Sequence, residues 1–187
     1  MKNAAVFILI SVFICSAASL SFINGSVSIN GRRARLGKEV GPKDTVSTGS
    51  ESAADILLYD GTSVSLKENS KLVITEVVPE EKKADLTVLA GKVLSIAAKK
   101  SDFNLHTPTA VAAIRGTIFF CSVKEEKDYF CTCNGTVEYT NKKGKLKTVS
   151  TAHHKGVFVS KDGRFSDAGM DEHTDAEIFE QMYRLGK

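Results

Sequence analysis

Between Ser26 and Leu105 no stretch carries the 3.6-residue hydrophobic period of a helix, and turn signals interrupt the chain every few residues. Val27 and Ile29 alternate with polar residues and run into Asn30-Gly31, a two-residue hairpin signal. Gly37, Gly41-Pro42 and Thr48-Gly49 punctuate the next segments. Ile56 to Tyr59 leads into Asp60-Gly61, and Leu72 to Val78 is rich in β-branched side chains, which suit a pleated surface. Many short strands at this spacing predict an all-β fold, either a β-solenoid-like or a sandwich-like stack. The 187 residues suffice for one core.

The second constraint is the stretch from His106 to Phe120. Pro108 fixes φ and donates no hydrogen bond, and it pushes Thr107 toward the extended region. An apolar run comes next, broken by Arg115-Gly116. Gly116 permits a bulge. Arg115 is either paired with a carboxylate or aimed at an anionic partner. The paired, buried reading is the expectation, with Arg115, Gly116 and Thr117 as a structural bend, because buried arginines are normally paired.

The pattern Thr107-Pro108-Thr109-Ala110, Ile114-Arg115-Gly116-Thr117, Phe119 resembles the end of a FecR-like domain, a module of the bacterial periplasm. Gly25-Ser26-Val27, Thr48-Gly49, Asp60-Gly61-Thr62 and Ala90-Gly91-Lys92-Val93 stand upstream in the family's order. The resemblance spans residues 25 to 123 and implies a short β-solenoid. Regulatory members of that family sense transport receptors and signal through a membrane helix to a sigma factor. Only Met1-Lys2-Asn3 precede the first apolar run, so the cytoplasmic segment of that type is expected to be missing.

The N-terminus has the layout of a signal peptide over residues 1 to 18. Lys2 supplies the charge, residues 4 to 14 the apolar stretch and Ser16 to Ser19 the small residues. A periplasmic or secreted location is expected, with no transmembrane segment in the mature chain. Val12-Phe13-Ile14 is too bulky for lipid attachment at Cys15. The net charge of +3 is too small and too scattered for nucleic acid binding.

Residues 124 to 165 read as a β extension carrying the reactive side chains. Phe119 to Val123 and Tyr129 to Cys133 form a predicted hairpin; a turn centred on Glu126 sets Cys121 opposite Cys131. Cys131 and Cys133 share a face, and a returning strand could bring His153 or His154 over them. Cys131, Cys133, His153, His154 and Cys121 are thus candidate ligands for zinc or another transition metal. The alternatives are a Cys121–Cys131 disulfide with a spare thiol, or inert thiols with a solvated His pair. Thr174-Asp175-Ala176-Glu177 has capping-box spacing and predicts a C-terminal helix over 174 to 185, with Ile178, Met182 and Leu185 on one face.

No paired-carboxylate, Walker or Gly-x-Ser-x-Gly pattern occurs, and no local signature supports a Cys/His hydrolase. The functional expectation is a non-enzymatic, exported FecR-like module that binds a protein or another cell-envelope component. The alternative is a periplasmic, redox-active metal- or haem-binding protein using the Cys/His residues.

Overall fold

The computed structural model describes residues 18–81, 83–99, 101–144, 147–169 and 172–186; the signal segment expected over residues 1 to 18 lies, but for Ala18, outside them. The strands are β1 (Ala18–Asn24), β2 (Val27–Ile29), β3 (Arg32–Arg33), β4 (Glu39–Val40), β5 (Thr45–Thr48), β6 (Ala53–Leu58), β7 (Ser63–Leu66) and β8 (Lys71–Val78). A 3-10 turn at Pro79–Glu81 leads to β9 (Lys83–Ile96), β10 (Asp102–His106), β11 (Ala110–Val123), β12 (Lys127–Asn141), β13 (Lys147–Ala152), β14 (Lys155–Ser160) and β15 (Phe165–Ala168). Among the described residues there is one α-helix, α1 (Asp175–Arg184), at the C-terminal end. The all-β architecture with a single C-terminal helix is the expected one.

These strands belong to one continuous sheet, and every described pairing is antiparallel except β9 with β10. Short β10 separates the first halves of β9 and β11, with Asp102 beside Lys83 and Arg115. Beyond it β9 and β11 pair directly, from Ile118 opposite Ile96 to Val123 opposite Gly91. The long strands therefore change partners half-way along. They bend where they do so, at Gly91 (φ 81°), Gly116 (φ 57°) and Gly135 (φ 116°).

The bends double the sheet over on itself. Leu86, Phe103 and Ile114 from the first halves share one core with Phe119, Cys121, Phe130 and Val159 from the second. This single sheet around a shared core is the expected all-β stack. A smaller apolar cluster of Leu94, Phe120, Tyr129, Cys131, Cys133 and Ile178 covers the opposite face of the second half, beneath α1.

Each corner is stitched by polar groups. At Gly91 the Ser70 hydroxyl accepts from the Lys92 N–H (2.9 Å) and donates to the Lys92 carbonyl (3.0 Å). A Cβ at Gly91 would lie 2.3 Å from Ser70 Oγ and 2.7 Å from the Asn69 carbonyl. Fully buried Asp128 ties the β11–β12 turn to the Thr107-Pro108-Thr109 segment, accepting from the Thr109 hydroxyl (2.6 Å) and N–H (3.0 Å).

Helix α1 begins at N-cap Thr174, whose N–H donates to the Glu177 carboxylate (2.9 Å), and ends at Gly186 with φ 67°. Its docking is more polar than the expected apolar stripe. Ile178 is buried, but so is Gln181, whose side-chain amide donates to Ser63 Oγ (3.0 Å). Arg184 donates to Asp55 through Nε (2.7 Å) and Nη2 (3.2 Å) and lies over the Phe22 ring. Phe179 and Tyr183 face outward.

Urea unfolding checks both the corner and the helix anchor. Gly61 also has positive φ but open space around it, so Gly61→Ala costs about 1–2 kcal/mol of left-handed strain. Gly91→Ala adds overlap with backbone and exceeds the usual range of about 0.5–3 kcal/mol for single substitutions; equal losses at the two sites would contradict the close approach. Arg184→Ala strands the buried Asp55 carboxylate and costs about 3–5 kcal/mol. Arg184→Lys recovers only part of it, because a lysine lacks the fork that grips both oxygens.

Candidate functional site

Cys131 and Cys133 sit two positions apart on β12, so both point to the face under α1. Both are essentially inaccessible, at 0 and 1 % exposure. Two histidines reach them from other parts of the chain. His154 occupies the turn between β13 and β14 in the left-handed region (φ 57°), and its N–H donates to the Cys133 carbonyl at 3.2 Å. His173 immediately precedes the helix N-cap; its Nε2 lies 3.1 Å from Cys133 Sγ and its ring stacks on Phe120 at 4.4 Å.

One donor atom from each of Cys131, Cys133, His154 and His173 lies within 4.8 Å of the others. Nε2 of His154 is 2.8 Å from Asp175 Oδ1, which leaves Nδ1 buried and without a partner. A cavity of about 300 Å³ adjoins the cluster, lined by Cys133, His153, His154, Asp175, Phe179 and Met182 among others.

The two thiols do not titrate alike. Cys131 is lowered to about 5, first by the hydrogen bond from Cys133, with His173 and His154 acting against burial. Cys133 is pushed up, first by its hydrogen bond to Cys131 and then by burial. The two sulfurs interact with each other and with the flanking imidazoles, so they titrate as one coupled pair.

The other expected ligands lie elsewhere. Cys121 pairs with Phe130 rather than Cys131, because the β11–β12 turn is centred between Glu125 and Glu126. That shift sends the Cys121 side chain into the main core, on the opposite face from Cys131 and Cys133. Burial, and then the Asp128 carboxylate, push its thiol up. The Cys121–Cys131 disulfide is thereby corrected as well: the two side chains point to opposite faces, and all three described cysteines are free. His153 is exposed, with its ring 4.4 Å from that of His154, and stands outside the four-donor group. His173 was missed by sequence reasoning, since it lies 40 positions from Cys133 and no spacing rule links them. Its one visible signal was its position just ahead of a capping box.

The Arg115-Gly116-Thr117 element forms the anticipated bend, but Arg115 is not buried. Ala112 and Ile114 point inward, so Arg115 points out, and the bulge at Gly116 then shifts the phase so that Thr117, Phe119 and Cys121 face in. The Arg115 side chain is 76 % exposed and lies 3.7 Å from the similarly exposed Asp102. The bend is held instead by Thr117, whose hydroxyl lies within hydrogen-bond reach of the Arg115 (2.9 Å) and Thr136 (3.1 Å) carbonyls.

The sequence model of the family described as FecR protein matches residues 44–138, just over half of the chain. The chain belongs to the FecR family. No curated protein matches it. Two crystal structures of candidate anti-sigma factors from Parabacteroides distasonis ATCC 8503 resemble it in fold. One has TM-score 0.60 at 14 % identity, covering 72 % of this chain and 64 % of its own; the other has TM-score 0.58 at 13 % identity, covering 75 % and 73 %. The chain thus spans less than two thirds of the first. The FecR match includes the Arg115 bend and both clustered sulfurs. The two imidazoles come from beyond it.

Because Arg115 is exposed and its ion pair screened, Arg115→Ala is expected to change unfolding free energy by less than about 0.5 kcal/mol, measured by urea titration. A loss of several kcal/mol would restore the buried-pair reading.

Proposed function

We infer that this FecR-family protein is an exported interaction module of the bacterial cell envelope that works by binding a partner rather than by catalysis. The observation that carries this reading is the exposed guanidinium at the FecR bend. A cation in the middle of an apolar strand contributes little to stability when it faces solvent, so its use lies in recognition. It stands in a row with Lys83, Asp102 and Thr136, adjacent in register across β9, β10, β11 and β12. A partner that presents carboxylates suits this row, since arginine binds them through two parallel hydrogen bonds.

A binding role also fits the reactive residues. Cys131 and Cys133 face one another and two imidazoles in a buried cluster, with both residues essentially closed to solvent. Export rests on Lys2, the apolar run over residues 4 to 14 and the small residues after it. Among the described residues no helix is long and apolar enough to cross a membrane.

Site-specific photocrosslinking in intact producing cells tests the reading. A photoreactive residue at position 115 should give a discrete adduct in the envelope fraction, and one at exposed Leu36, on another part of the surface, should not. Recovery of the chain in the cytosol with its N-terminal segment intact, or no adduct from position 115, would overturn it.

A further inference from the structure

We propose that Cys131, Cys133, His154 and His173 bind one zinc ion in a closed tetrahedral site, and that this ion fastens α1 to the FecR β core. The donor chemistry comes first. Two sulfurs and two imidazole nitrogens form a borderline-soft set suited to Zn²⁺. A tetrahedral ion with bonds of about 2.3 Å to sulfur and 2.0–2.1 Å to nitrogen sets its donors roughly 3.3–3.8 Å apart. The four donors here already lie within 4.8 Å of one another, and Cys133 Sγ and His173 Nε2 within 3.1 Å. A small contraction closes the site.

The surroundings are those of a metal centre. The buried Nδ1 atom of His154 has no hydrogen-bond partner, which is costly unless something binds it. The other nitrogen of that ring meets the Asp175 carboxylate at 2.8 Å, the outer-shell contact that fixes the tautomer and orientation of a ligating imidazole. Stacking on Phe120 holds the His173 ring in place. A disulfide is a poor alternative for these sulfurs. Residues two apart on a strand have Cα atoms roughly 6.5–7 Å apart, at the limit for a disulfide, and Cys121 is on the other face. Four protein donors meeting at one point also leave no plane for a porphyrin between them, so the donor set does not fit haem.

The connectivity gives the ion its role. Both sulfurs belong to β12, His154 to the turn between β13 and β14, and His173 to the residue before the helix cap. Apart from this cluster, α1 is held by Ile178, Gln181, the Arg184 pair with Asp55 and the Glu177 pair with Lys67. Those contacts run from the first turn of the helix, at Glu177, to its end, at Arg184. The ion would tie the residue that leads into the helix to β12, and a closed four-ligand site with no open position is structural rather than catalytic.

The test uses the full mature chain purified under native conditions without chelator. Elemental analysis should find one zinc per chain, and cobalt exchange should give the absorption of a tetrahedral thiolate-bound ion. Cys131→Ser with Cys133→Ser should abolish stoichiometric binding. Asp175→Asn, which keeps all four ligands, should weaken zinc affinity by about 10–100-fold. Cys121→Ala and His153→Ala should leave stoichiometry unchanged. Stripping the ion should accelerate hydrogen exchange in α1 at least tenfold while β11 and β12 keep their protection. Failure of the wild-type chain to take up zinc or cobalt, or binding that survives the double Cys variant, would overturn the site. Unchanged α1 exchange after stripping would overturn the fastening role. Neither result bears on crosslinking at Arg115, which lies on the far side of the bend, so the interaction reading stands or falls separately.

Discussion

Three glycines at the middle of long strands are the constraint on which the structure depends. At Gly91, Gly116 and Gly135 the backbone takes positive φ, the strands bend, and each half pairs with different neighbours. A straight sheet of such strands would leave one face of Leu86, Phe103, Phe119 and Phe130 in water. The bends fold those faces together, so the apolar surface removed from water offsets the unfavourable turns. The bulge at Gly116 also inverts which side chains point inward. One extra residue converts an even-numbered inward face into an odd-numbered one, and this decides the fate of every side chain after it.

The environments of Arg115 and the cysteines are consequences of that phase. Arg115 is the last residue before the bulge and is turned to solvent. Cys121, a few positions beyond, is turned into the core. On β12 the same alternation puts Phe130 inside and Cys131 and Cys133 outside, beneath the helix. Among the described residues, the buried aspartates are each held by a partner. Asp128 is gripped by Thr109, and Asp55 by Arg184. Each joins segments distant in sequence, because an unpaired carboxylate there would be strongly unfavourable.

The FecR core and the C-terminal extension divide the molecule's chemistry. The family match ends at residue 138, and the extension beyond it brings two histidines and the helix back onto the core's outer face. Covering that face buries Leu94, Phe120 and Tyr129, which would otherwise form an exposed apolar patch. The polar contacts of Gln181 with Ser63 and of Arg184 with Asp55 fix where along the strands the helix lies. Apolar contact alone would permit sliding.

The strand-and-turn grammar, the bend at Arg115-Gly116-Thr117, the shared face of Cys131 and Cys133 and the capped helix are all legible in the sequence. They depend on local backbone preferences and on periodicity, which are written within a few residues. The register of the β11–β12 hairpin is not. Its turn centre differs by half a residue from the one that the sequence suggests. That difference exchanges Phe130 for Cys131 opposite Cys121 and turns the expected third sulfur away. The folded chain also selects His154 over His153, through a left-handed turn that aims one ring inward, and brings His173 to Cys133 across 40 residues. Such meetings have no local signature, because they are set by how the whole sheet folds over and where the helix returns to it.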